Sequence, residues 1–136
     1  MTSLQRAEAN DGSKQSVEVR SVIEDYLRAV REWDEAAFRN TFHPAENISH
    51  YYVKGDAIKT ISRDEFVATI GSLHRKFDNA EEKAREIEVN IVGHLASVRV
   101  AFGFVMGANT MEGQDDLFNL AFCRGGWKII HNSYYL

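Results

Sequence analysis

The sequence predicts an α+β domain in which helices come first and an antiparallel sheet follows. Three observations carry this. An apolar stripe at helical spacing runs through Val19, Val22, Ile23, Tyr26, Leu27, Val30 and Trp33, with Glu18, Arg20, Glu24, Arg28 and Arg31 on the other face. The run Ser62-Arg63-Asp64-Glu65 has capping-box form, and a second stripe of Phe66, Ile70 and Leu73 follows it. Residues 87–91, 96–106, 116–123 and 127–135 then read as four successive strands separated by short turn segments.

Residues 1–15 are rich in Asn, Asp, Gly, Ser and Gln and show neither period, so a mobile tail is expected there and a single folded domain over 16–136. After the first helix, Asp34 stands where an N-cap belongs, ahead of a short helix carrying Ala37, Phe38 and Phe42. His43-Pro44 ends it, because the residue before a proline is pushed out of the α region. Residues 47–53 alternate Ile48, His50 and Tyr52 against Ser49, Tyr51 and Val53, which is strand periodicity, and a second short strand is expected at 57–61. Past the third helix, the charged residues 76–85 read as a solvated connection, after which Ile87, Val89 and Ile91 alternate with Glu86, Glu88 and Asn90. Residues 92–95 are short enough for a hairpin turn, with Gly93 available for positive φ. Ala96, Val98, Val100, Phe102, Phe104 and Met106 share one face of the next strand, and residues 107–113 and 124–126 make the last two connections.

With 136 residues the chain makes one domain with a sizeable core, and there is no internal repeat. A formal net charge of −4 argues against a phosphate-backbone footprint, so nucleic acid is not an expected partner. The single cysteine, Cys123, has no internal disulfide partner, the first sixteen residues hold no apolar run of signal-peptide type, and nothing approaches a membrane span. The expected compartment is the cytoplasm, with no membrane partner.

The chain resembles the nuclear transport factor 2-like superfamily, the cone-shaped α+β fold of ketosteroid isomerases, scytalone dehydratase, polyketide cyclases and limonene epoxide hydrolase. The resemblance rests on Tyr26 with Trp33-Asp34, on Phe42-His43-Pro44, on residues 89–100 as V-x-I-V-G-x-x-A-x-V-x-V, and on Gly126-Trp127-Lys128-Ile129. It covers roughly residues 16–135 and is strongest to the small proteins grouped as "Putative lumazine-binding". It implies a curved antiparallel sheet wrapped around the helices, with an apolar cavity at the open end of the cone. By parity the cavity would be faced by Ile48, His50 and Tyr52, by Phe102, Phe104 and Met106, and by Asp116, Phe118 and Leu120, with Tyr26, Phe66 and Ile70 closing it.

The same resemblance places Tyr26 at the position of the oxyanion-donating tyrosine of ketosteroid isomerases and His50 at that of their proton-shuttling aspartate. A tyrosine hydroxyl could polarise a carbonyl while an imidazole moves a proton. The second oxyanion donor of those enzymes, a neutral carboxylic acid, corresponds to Phe118, a departure from their pattern. The bland alternatives are a buried Tyr26 bonded to a backbone carbonyl and a satisfied, noncatalytic His50. Asp116, pointing inward, would mark the pocket mouth or pair with an arginine such as Arg99 or Arg63.

The five histidines never fall at metal-ligand spacing on one helix, and phosphate-binding glycine loops are absent, so neither metal nor cofactor is expected. Two functional classes fit. One is an enzyme of isomerase, dehydratase or cyclase type acting on a small hydrophobic or aromatic molecule, with Tyr26 and His50 as chemical groups and Tyr52, Phe66, Ile70, Phe104, Asp116 and Phe118 around the ligand. The other is a noncatalytic binding or interaction module. Apolar residues on both parities of the long strands (Ala101 and Val105; Leu117 and Ala121) point to a homodimer through the outer sheet face.

Overall fold

The computed structural model describes residues 2–44 and 49–135, with side chains described from Lys14 onward, Ser49 excepted. Helix α1 (Thr2–Glu32) is followed by α2 (Glu35–Asn40), strands β1 (Ser49–Lys54) and β2 (Ala57–Ser62), helix α3 (Arg63–Lys76), and strands β3 (Ala80–Val92), β4 (Leu95–Met106), β5 (Asn109–Cys123) and β6 (Gly126–Tyr135). Ile48, expected on the first strand, lies outside the described residues.

The helices start where local chemistry lets them. Asp34 Oδ1 accepts from the Ala37 amide at 3.0 Å, which satisfies one of the free N–H groups at the start of α2. Ser62 and Glu65 close the reciprocal capping box at the start of α3, at 3.1 and 3.2 Å. Between α1 and α2, Trp33 turns the chain with a positive φ of 48°. Helix α1 starts at Thr2, ahead of the Ser16 start that apolar periodicity indicates, and its fully buried stripe of Val19, Ile23, Tyr26 and Val30 belongs to the predicted face.

The six strands form one curved, unclosed sheet in the order β2-β1-β6-β5-β4-β3. All neighbours are antiparallel except β1 and β6. The β5–β6 hairpin turns through Arg124 and Gly125, both at positive φ (49° and 83°), the left-handed pair that a two-residue connection with matching twist needs. Inward-facing Val98, Val100, Phe118, Leu120 and Ile129 pack against the helices with Phe38 and Phe42. No helix among the described residues is long and apolar enough to cross a membrane.

Two connections expected from the sequence are strand instead. Charged residues 80–85 begin β3, pairing with β4 from Ala80–Met106 onward, and β5 begins at Asn109. Backbone pairing along a long β4 carries both segments into the sheet, overriding their polar composition. A β-bulge between Ala84 and Glu86 breaks the β3–β4 register. Because a bulge shifts side-chain parity by one, Glu82 and Ala84 share the inward face with Ile87, Val89 and Ile91.

Candidate active site

A cavity of about 310 Å³ opens between the sheet and the helices α1 and α3. Its wall is largely apolar, formed by Val30, Phe66, Ile70, Phe102, Phe104 and Met106. Tyr26, Glu82, Asp116 and Tyr134 bring four titratable groups to that wall, from α1, β3, β5 and β6. The Tyr26 hydroxyl donates to Glu82 Oε1 at 3.5 Å, and the Asp116 carboxyl stands near enough to Glu82 for the charge of one to act on the other. Two neighbouring carboxyls shielded from water resist ionising together, so the pair holds one proton between them.

Behind this pair the network continues away from the cavity. Asn132 Nδ2 donates to Asp116 Oδ1 and, at 3.4 Å, to the Leu117 carbonyl, which turns Asn132 Oδ1 toward His50 Nδ1 at 2.9 Å. His50 therefore carries its proton on Nδ1, and its Nε2 is a bare lone pair with no partner. The imidazole lies flat on Phe66, centroids 4.1 Å apart, and edge-on to Phe42.

Burial sets the protonation states. Glu82 and Asp116 are 7% and 2% exposed, and loss of water favours the neutral acid in each. Desolvation pushes Glu82 up to about 7, against the pull of its bonds with Asp116 and Tyr26. Asp116 is raised well above the usual carboxylate range by desolvation and then by the Glu82 charge. The two titrate together, so the proton belongs to the pair. Desolvation together with the Glu82 charge keeps the Tyr26 hydroxyl protonated, and desolvation does the same for Tyr134. His50 is lowered to about 4 by desolvation, so the ring is neutral at physiological pH.

Of the residues expected around a ligand, Tyr26, Phe66, Ile70, Phe104 and Asp116 line the cavity. His50 points inward as parity requires, fully buried where Tyr51 is exposed, but it is not on the cavity wall; it lies against Phe66, whose ring is on the wall. Tyr52 is half-buried at the sheet margin, stacked on Tyr134 at 5.6 Å, and is not on the wall either. Phe118 sits behind Tyr26, ring centroids 5.0 Å apart, as core. Asp116 neither marks a solvated mouth nor pairs with an arginine. Its partners are Asn132 and Glu82, while Arg99 is held on the opposite sheet face by Asp115 at 2.8 Å and Glu88 at 3.2 Å, and Arg63 stands over the Phe42 ring.

Comparison with known proteins places this site in a family. The model of the family described as "Putative lumazine-binding" matches residues 14–135. The chain belongs to that family. Its fold is the nuclear transport factor 2-like fold of solved structures. One is a nuclear transport factor 2-like protein with a cystatin-like fold from Novosphingobium aromaticivorans, with a TM-score of 0.76 and 18% identity over 96% of this chain and 86% of that one. Another is titled a putative dehydratase of the same fold family from Streptomyces avermitilis (TM-score 0.70, 13% identity, 91% and 96% coverage). A third is titled a putative ketosteroid isomerase from Shewanella frigidimarina (TM-score 0.62, 18% identity, 84% and 91% coverage). At these identities the likeness is one of fold. No curated protein sequence matches the chain.

In this member of the family the residue that sequence reasoning missed is Glu82. Reading alternation backward from Ile87 puts Lys83 and Arg85 inward and Glu82 out, and only the bulge reverses that. The one available signal is composition: Ala80, Glu82 and Ala84 alternate with Glu81, Lys83 and Arg85, and the small alanines are the inward members. Among the described residues no group of three or more His, Cys, Asp or Glu is placed to hold a metal ion.

Proposed function

We propose that this chain binds a compact, largely apolar molecule in the cavity and moves a proton at its polar group. The observation that carries this reading is the pair of buried carboxyls, Glu82 and Asp116, beside the Tyr26 hydroxyl on a largely apolar wall. A base is most effective when its pKa lies near the working pH, and Glu82 at about 7 meets that condition. For a carbonyl compound, Glu82 takes a proton from the carbon next to the carbonyl while the protonated Asp116 or Tyr26 hydrogen-bonds the developing oxyanion. Return of that proton to another carbon gives isomerisation. Departure of a β-hydroxyl, protonated by the same acid, gives dehydration and water. Two structural neighbours, described as a "putative dehydratase" and a "putative ketosteroid isomerase", are in keeping with this reaction class.

His50 and Asn132 serve as positioning residues in this scheme, orienting the Asp116 carboxyl without touching the ligand. A noncatalytic binding role is favoured by one observation: Tyr26 and Asp116 both turn their hydrogen bonds onto Glu82 rather than toward the cavity. The two readings separate in heavy water with 2-tetralone as probe. The enzyme reading expects deuterium to enter beside the carbonyl faster with protein than in buffer, and Glu82→Gln to slow that gain by about 100-fold or more. Binding of 2-tetralone with exchange no faster than buffer would leave the binding role and remove the catalytic one.

The functional unit proposed is a homodimer through the outer sheet face. Leu95 and Leu117 stand 56% and 49% exposed there, beside half-buried Ala101 and Ala121, and covering them would bury apolar area. Light scattering at micromolar concentration should give about twice 15.5 kDa, and a constant monomer mass would contradict the assignment.

A further inference from the structure

The polar end of the cavity is acidic and has no basic counterpart. No lysine, arginine or histidine stands among the described residues on its wall. On the cavity side the groups facing Glu82 are Tyr26 from α1, Asp116 from β5 and Tyr134 from β6, all acids, with Phe104 beside it on β4; on its other side Glu82 borders an outer groove lined by Glu24, Asp25, Arg28 and Arg31 of α1 and by Glu81 and Lys83 of β3. Glu82 Oε2, on a residue only 7% exposed, receives no N–H or O–H from the protein. A carboxylate has about four acceptor positions, so a single bond from Tyr26 and one proton shared with Asp116 leave capacity for a water or for the donors of a ligand that displaces it. The rings of Phe66, Phe104 and Tyr134 add electron-rich surfaces around the same space.

We infer that the cavity takes a compact lipophilic nitrogen base, held as its cation with N–H groups directed at Glu82 and Asp116 and its carbon frame against the aromatic wall. An anionic ligand meets two carboxyls and no cation, with the hydroxyls of Tyr26, Thr69 and Tyr134 and the Gln114 amide as the other polar groups of the wall, and a neutral alcohol supplies at most one donor and no charge. A base that arrives neutral takes the shared proton: the carboxyl O–H bond breaks, the N–H bond forms, and the net charge of minus one is unchanged, now as two carboxylates around one ammonium. This rests on the reading of Tyr26, Glu82 and Asp116 as the polar end of a ligand cavity, and it adds the chemical class of the ligand.

The test compares three probes on one carbon frame by calorimetry on the intact chain: 2-aminotetralin, 2-tetralol and tetralin-2-carboxylic acid. At pH 8, above the Glu82 value of about 7, the amine is expected to bind about tenfold or more tighter than the alcohol, and the acid not at all. At pH 5, where Glu82 is protonated and the amine remains a cation, that preference should vanish. Glu82→Gln should abolish the preference at pH 8 while keeping the affinity for the alcohol. An alcohol that binds as tightly as the amine at pH 8, an acid that competes, or a preference that survives at pH 5 overturns the inference and leaves the cavity reading standing. Failure of all three to bind overturns both. The wild-type comparisons need no variant, so they decide the inference even where the Glu82→Gln chain does not fold.

Discussion

Glu82→Gln is expected to stabilise the protein at pH 8 and to leave it unchanged near pH 4.5. Burial raises the folded-state value of Glu82 from 4.5 to about 7. A carboxyl raised in this way contributes its stability in full below its unfolded value and loses it as pH climbs through its folded one. A rise of that size corresponds to about 3 kcal/mol at most, lost progressively between pH 4.5 and 8. Asp116 is displaced in the same direction by the same desolvation. His50 acts oppositely: lowered from 6.5 to about 4, it contributes stability above pH 6.5 that is lost as pH falls through 4. Glutamine keeps the acceptor for Tyr26 and offers an N–H to Asp116 but cannot ionise. Urea unfolding of wild type and variant at pH 5 and pH 8 isolates the effect of Glu82 together with the part of the Asp116 shift that Glu82 causes, since groups remote from the pair cancel. A variant no more stable than wild type at pH 8 would mean that Glu82 is ionised without cost in the folded chain.

The second large effect is expected at Asn132. Its amide joins two groups with no other described side-chain partner for those atoms, accepting from His50 Nδ1 and donating to Asp116 Oδ1. Asn132→Leu keeps the volume and strands both. Each buried polar group left unpaired costs about 1–3 kcal/mol, so a combined loss of about 2–5 kcal/mol is expected from denaturant unfolding. Packing damage alone would give a similar number. The distinguishing readout is the nitrogen spectrum of the His50 ring, where the wild type holds its proton on Nδ1 and the variant should lose that preference. A ring whose tautomer is unmoved by the substitution would show that Asn132 does not position it.

Much of the fold was legible because it is written in repeats of a local rule. The stripe from Val19 to Val30, the Asp34 cap, the Ser62–Glu65 box and the alternation of β4 each state their own structure, and the order of elements then leaves few ways to assemble them. The site was legible only in part, and the reason is physical. Strand parity identified Asp116, Phe104 and the inward direction of His50: Asp116 and His50 sit on runs whose register holds, and at Phe104 the irregularity falls in β5, so β4 keeps its own alternation. Parity says which face a residue takes and nothing about depth behind that face, so His50 and Phe118 read as cavity residues although Phe66 and Tyr26 stand in front of them. Glu82 failed for a different reason: its strand breaks the alternation rule at one position, and a polar run beside that break looks like a loop.

The irregularity in β3 also bears on how such a pocket changes over evolutionary time. Glu82 lies five residues before Ile87, and both face inward because the bulge absorbs one of the residues between them. Losing one residue there would restore unbroken pairing and leave the acid inward, whereas ironing the bulge out with every residue kept would rotate Glu82 to solvent and bring Lys83 and Arg85 toward the interior. The acidity of the chamber thus depends on how the strand pairs at a single point, and a one-residue gap there would not by itself remove it.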